Sequence, residues 1–162
     1  MKGKPEVIAE LSKALAEELA AINQYILHAE MQENWGYEKL SKFIKLQSIG
    51  EMKHAEAIIE RILFLDGMPR MDVMDKISIG DDVRKQLEND LALERGAVES
   101  YNIAVKVCRE AGDNATADFL KVLLQDEEKH VDFLETQLGL IQQLGYERYL
   151  MMQMGEGGKT ED

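Results

Sequence analysis

The amino-acid sequence predicts an all-α protein: a four-helix bundle with a long crossover between its second and third helices and a short fifth helix near the C-terminal end. Three observations carry this expectation. Only two prolines occur, at positions 5 and 69, and most glycines lie outside the periodic stretches, so the chain divides into long helices rather than strands. Four stretches repeat apolar residues at spacings of three and four, the period of a helix face turned inward. Every one of those faces is interrupted by a polar residue where a soluble bundle normally buries leucine.

The first helix is predicted from Pro5, a residue suited to a first helical turn, to near Trp35. Its stripe runs Ile8, Leu11, Leu15, Glu18, Ile22, Tyr25. The second, from about Glu38 to Leu65, carries Leu40, Ile44, Gln47, Glu51, His54, Ile58, Ile62 and Leu65 at the same spacing. Gly67, Pro69 and the mixed stretch to Asp82 form a connector of about 16 residues, which at roughly 3.3 Å each can run the length of a bundle. The third helix, from about Val83 to Ala111, presents Leu87, Leu91, Glu94, Val98, Tyr101, Val105 and Cys108. After Gly112, with Asp113 or Asn114 as N-cap, the fourth presents Leu120, Leu123, Glu127, His130, Leu134, Leu138 and Ile141. Gly145 ends it, and a short fifth helix is expected over Tyr146 to Met154. The domain is thus expected to span residues 1–154, with 155–162 a flexible polar tail.

Composition narrows the class. A chain of 162 residues, 45% hydrophobic, can bury one sizeable core. Asp and Glu number 31 against 19 Lys and Arg, a formal balance of -12 that repels a phosphate backbone, so no nucleic-acid partner is expected. The first residues carry Lys2, Lys4, Glu6 and Glu10 rather than the apolar core of a signal peptide, and no stretch is long enough for a membrane span of about 20 residues. Cys108 is the only cysteine, so neither an internal disulfide nor a thiolate metal cluster is available, and a cytoplasmic protein is expected.

The polar interruptions carry the chemistry. In order they read Glu, Glu-x-x-His, Glu, Glu-x-x-His, and the spacing is duplicated: Glu18, Glu51 and His54 recur 76 residues later as Glu94, Glu127 and His130. Gly36 lies 18 residues after Glu18 and 18 before His54, and Gly112 stands likewise between Glu94 and His130. Two hairpins turning at these glycines bring the six side chains to one level, about 27 Å from each turn. Four buried carboxylates are costly and repel one another. Two divalent cations neutralise them. A Glu and a His three apart share one side of a helix, so the imidazole reaches one metal while the carboxylate bridges both. Glu51 and Glu127 are the expected bridges, with Glu18 and Glu94 terminal and His54 and His130 completing each half. Oxygen-rich ligation with one nitrogen per metal and no sulfur favours iron, ahead of manganese, over structural zinc. Tyr25 lies on the same stripe two turns from Glu18, placed to donate a hydrogen bond to a ligand carboxylate or to take part in electron transfer. His28 has no such place in the metal stripe and is expected to be structural.

The opening MKG, AINQY at 21–25, EMKHA at 51–55, RILFLDG at 61–67 and DEEKHVDFLETQ at 126–137 resemble bacterioferritin over nearly the whole chain. The resemblance implies a ferritin-like four-helix bundle that stores iron. Its expected activity is that of a ferroxidase, oxidising Fe(II) with O2 or H2O2 at an intra-subunit di-iron centre of two iron ions. It implies a homo-oligomeric shell of 24 copies built of two-fold dimers around a cavity for ferric mineral. It implies one haem b per dimer, bound by the methionine matching Met52 from each subunit, and a bacterioferritin-associated ferredoxin as the electron donor for reductive iron release. Met52 lies about 100° around the helix from Glu51, on the side of Ile49 and Ile59, while the repeat places Glu128 at the matching position. Some family members carry a further iron site using His and acidic residues near positions 46 and 50; Leu46 and Gly50 stand here, so the resemblance does not extend to that site. Two other functions compete with ferroxidase storage: a haem-free di-iron peroxidase or oxygenase, as in rubrerythrin-like proteins, and a passive haem- or iron-binding shell. Against the first, Cys108 alone cannot supply the cysteine pairs of a rubredoxin module.

Overall fold

The computed structural model describes residues 1–155. Among them are five helices: α1 Pro5–Asn34, α2 Glu38–Phe64, α3 Val83–Glu110, α4 Asn114–Leu144 and α5 Tyr146–Gln153. Pro5 opens α1. The side chains of Asp82 and Asp113 cap α3 and α4 by accepting from the backbone N–H groups of Lys85 and Thr116. The fifth helix stops one residue earlier than the periodicity predicts, and the predicted tail, apart from Gly155, lies outside the described residues.

Both hairpins close in the same way. Gly36 and Gly112 have φ values of 89° and 77°, a left-handed conformation that costs a side-chain-bearing residue about 1 kcal/mol or more. In the first turn the N–H of Tyr37 donates to the Gln32 carbonyl and that of Gly36 to Glu33. In the second, Asp113 donates to Cys108 and Gly112 to Arg109. These paired bonds satisfy carbonyls that the helix ends leave open. The duplicated spacing of the sequence is therefore a duplicated structure: α1 pairs with α2, α3 with α4, and the hairpins meet mainly through α1 and α3.

Two apolar clusters fill the bundle, one on each side of a polar layer. The first holds Leu11, Leu15, Ile58, Ile62, Cys108 and Leu120. The second holds Tyr25, Leu40, Ile44, Leu87, Leu134 and Tyr149, the last donating its O–H to Gln137 at 2.9 Å and so seating α5. The connector between α2 and α3 runs back along α1: the N–H of Asp75 meets the Ala16 carbonyl at 3.2 Å, Ser78 donates to Gln24 Oε1 at 2.9 Å, and Gly80 donates to His28 Nε2 at 3.1 Å. Among the described residues no helix is long and apolar enough to cross a membrane.

Candidate metal centre

All six predicted residues converge in the polar layer. Ligand atoms of Glu18, Glu51, His54 and Glu127 lie within 4.8 Å of one another, and so do those of Glu51, Glu94, Glu127 and His130. Glu51 and Glu127 belong to both groups. Each divides its two oxygens between the histidines. Glu51 sets Oε2 at 3.0 Å from His54 Nδ1 and Oε1 at 3.0 Å from His130 Nδ1. Glu127 sets Oε1 at 3.0 Å from His54 Nδ1 and Oε2 at 3.1 Å from His130 Nδ1. Glu18 stands outside the first histidine at 3.7 Å, and Glu94 outside the second at 3.4 Å. The two rings are nearly parallel, with centroids 6.4 Å apart.

The fit to metal rests on unsatisfied atoms. Both oxygens of Glu51, Oε1 of Glu127 and Nδ1 of His54 are buried without an aligned hydrogen bond, although their neighbours are close. A buried acceptor left open costs about 1–3 kcal/mol, and such clusters persist where an ion takes up the lone pairs. Four carboxylates and two imidazoles, with no sulfur, suit two divalent ions of the iron or manganese type.

Protons hold the balance when no metal is bound. Burial, then the charges of Glu51 and Glu127, pushes the Glu18 carboxyl well above its usual range. Burial and the same two neighbours push Glu94 up likewise. For His130 burial works against charge, but the carboxylates of Glu127, Glu51 and Glu94 close beside it outweigh burial and lift the imidazole to about 12. His54 is raised in the same way by Glu127, Glu18 and Glu51 against burial. Burial would raise Glu51, yet His130 and His54 hold it down to about 2. The centre thus gathers positive charge wherever it is available.

Two tyrosines steady the outer carboxylates. Tyr25 donates its O–H to Glu94 Oε1, a carboxylate of the cluster. Tyr101 donates to Glu18 Oε1 across the bundle. Both phenols are pushed well up, mainly by burial and then by the carboxylate each one meets. Sequence reasoning gave Tyr101 no role, yet the signal was present, because it lies 76 residues after Tyr25. A cavity of about 290 Å³, lined by Glu17, Gln24 and Asp75 among others, reaches Glu18, Glu51 and Glu94 from the crossover side. Burial lifts Glu17 within it to about 7.

The other singled-out residues lie elsewhere. His28 is fully buried outside the cluster, its Nδ1 at 2.9 Å from Asp90 Oδ1. Because Gly80 donates to Nε2, the proton on the neutral ring sits at Nδ1 and is donated to Asp90. Met52 is 50% exposed and its neighbour Ile49 40%, on the face of α2 away from the polar layer, so the thioether is open to a ligand outside the fold. Leu46 is exposed, and nothing lies within 4 Å of a Cβ added at Gly50.

The family model described as a ferritin-like domain matches residues 8–144. Among curated proteins, the bacterioferritin of Mycobacterium avium is 46% identical over 92% of this chain and 94% of its own length. That of Rhodobacter capsulatus is 45% identical over 94% of each. That of Brucella melitensis is 42% identical over 99% of this chain and 100% of its own.

Proposed function

The chain belongs to the bacterioferritin family, and from that premise we propose that it stores iron by oxidising Fe(II) at the six-residue centre and holding the ferric product in a shell of 24 copies. The observation that carries this is the sharing of Glu51 and Glu127 between two ligand groups, because a site for two ions side by side is what a two-electron oxidation requires. Two substrate Fe(II) ions enter, one against Glu18 and His54 and one against Glu94 and His130, with Glu51 and Glu127 bridging them at about 3.5–4 Å. Each iron loses one electron. The pair is taken up with two protons by O2, giving H2O2, or by H2O2, giving two waters, so no one-electron oxygen product need be released.

The protein's own part is positioning and proton balance. His54 and His130 must lose their protons to bind iron through Nδ1, and Glu18 and Glu94 must be ionised, so entry of the ions expels protons from the centre. Tyr25 and Tyr101 donate to Oε1 of Glu94 and Glu18, the oxygens that also lie beside His130 and His54, and so hold each outer carboxylate against its half of the centre. The cavity beside Glu17 and Asp75 supplies an acidic route for a cation from the crossover side.

Met52, whose thioether is exposed, would hold haem b together with the same residue of a second copy. When bound it supplies one-electron transfer toward the ferric store, with a bacterioferritin-associated ferredoxin as donor. Ferrous iron added in air, followed by ferric absorbance, tests the oxidation. The parent should oxidise iron rapidly, and Glu51→Ala and His130→Ala should fall to the rate of buffer. Equal rates in parent and variants would reject the centre. Met52→Leu should lose haem absorbance and still oxidise iron. A parent that turns over peroxide yet retains no mineral and has the mass of a small oligomer would favour the haem-free peroxidase or oxygenase.

A further inference from the structure

The duplication that builds the centre is incomplete one residue before each bridging glutamate. On α4 that residue is Asp126, ahead of Glu127; on α2 it is Gly50, ahead of Glu51. The consequence is visible at the outer nitrogens of the histidines. His54 turns Nδ1 into the centre and Nε2 outward, where Oδ2 of Asp126 faces it at 3.5 Å. The other oxygen of Asp126 is held by Lys129 at 2.6 Å, so the carboxylate is tethered from behind. His130 also turns Nδ1 inward, but Gly50, the repeat counterpart of Asp126, carries no side chain, and nothing lies within 4 Å of a Cβ added there.

A histidine that binds metal through one nitrogen carries its proton on the other. A carboxylate accepting that proton fixes the tautomer, orients the ring and makes it a stronger donor. Loss of such a partner costs about 10–100-fold in metal affinity. We propose that Asp126 is a positioning residue for His54 with no counterpart at His130, so that the two halves of the centre bind metal unequally and the half built on Glu18 and His54 fills first. This rests on the reading of the six residues as a two-metal centre. Unequal filling gives the centre an order: a firmly held ion beside His54, and a second, readily exchanged ion beside His130. The ion that leaves first after oxidation is then the one bound by Glu94 and His130.

Anaerobic titration of the metal-free protein with Co(II), which reports binding by visible absorbance without turnover, tests this. The parent should bind two ions per chain in two steps separated by about 10–100-fold. Asp126→Gly should weaken the tighter step until the two merge; Asp126→Asn, which keeps an acceptor, should weaken it less. Gly50→Asp, placed in open space, should strengthen the weaker step instead, merging the two at high affinity. In proton NMR of the Co(II) form, the exchangeable ring N–H that appears first should shift in Asp126→Gly, and the one that appears second should shift in Gly50→Asp. Two equal steps in the parent, or a separation unmoved by Asp126→Gly, overturns the inference while leaving the two-metal centre standing. Failure of the parent to bind two Co(II) ions at all would reject the centre as well.

Discussion

The two ends of the bundle, on either side of the polar layer, are related by the repeat and yet built from opposite materials. At one end, where the last turns of α1 meet the first turns of α3, the core holds His28, Asp90, Gln24, Gln32 and Gln86. Gln24 donates to Asp90 at 2.8 Å, as His28 does at 2.9 Å, and Gln32 donates to Gln86 at 3.0 Å. At the other end the positions 76 residues from His28 and Asp90 are Ala104 and Ala14, both in an apolar cluster. The difference follows from the connectivity. There is one crossover, and its last residues run beside the first end, bringing the backbone N–H groups of Ser78 and Gly80 to Gln24 and His28. A buried backbone donor needs an acceptor, and the polar side chains provide it. The other end receives no such strand of chain, and alanine suffices. The six clustered Glu and His side chains keep the symmetry of the repeat, and the core beyond them abandons it where the chain path is one-sided.

The largest expected effect comes from making the polar end resemble the apolar one. His28→Ala leaves the buried Gly80 N–H without its acceptor and removes one of the two donors to Asp90 Oδ1, the other being Gln24. With about 1–3 kcal/mol for the open donor and about 0.5–1.5 kcal/mol for the lost hydrogen bond, it should cost about 1.5–4.5 kcal/mol in chemical unfolding of the metal-free protein at fixed subunit concentration. His28→Ala with Asp90→Ala should cost less than the sum of the two single changes, since the pair shares one interaction. The amides of Ser78 and Gly80 should exchange faster with deuterium in both variants. Strict additivity, or unchanged exchange at Gly80, would mean that the network does not hold the crossover.

Between the unlike ends, the layer of Glu and His side chains should behave as two like halves toward protons. His54 and His130 both have raised pKa values, from an ordinary value of about 6.5, so both are charged at neutral pH; the metal-bound forms of both are neutral. Binding two Zn(II) ions at pH 7 should therefore release at least one proton from each histidine, read by an indicator in weak buffer. The sign is fixed: lowering the pH favours the protonated, metal-free centre, so affinity falls as pH falls, by about tenfold per pH unit for each proton released. Release that saturates after one ion, or affinity independent of pH between 6 and 8, would break the likeness of the halves.

Sequence made this layer legible because its residues break a helical stripe, which is rare, and break it twice at one spacing. Glu18 and Glu94 stand where leucine is expected, and Glu-x-x-His needs no tertiary knowledge to be placed on one face. The hairpin turns were legible for a similar reason, since Gly36 and Gly112 sit at the midpoint of each pair of ligands. The polar end was not. Gln24, Gln86 and Asp90 look like ordinary solvated positions on long helices, and their burial depends on where an irregular connector returns, which no periodicity reports. Asp126 was missed because it lies beside the stripe rather than on it, and its partner is a nitrogen on another helix.

The smallest expected effect is the most stringent check on the likeness of the halves. Tyr25 and Tyr101 are repeat partners, each buried and each donating to the far carboxylate, but Tyr25 stands in the cluster at the polar end and Tyr101 in the cluster at the alanine end. If each phenol serves only its carboxylate, Tyr25→Phe and Tyr101→Phe should each lose about 0.5–1.5 kcal/mol of stability without metal. They should agree with one another within about 0.5 kcal/mol, because the hydroxyl is removed and the ring that packs the core is retained. With two Zn(II) ions bound, both losses should shrink, since the ion then holds the carboxylate that the phenol held before. A markedly larger loss at Tyr25 would show that the asymmetry of the ends penetrates the centre, carried from Asp90 through the short path between it and Glu94 on α3.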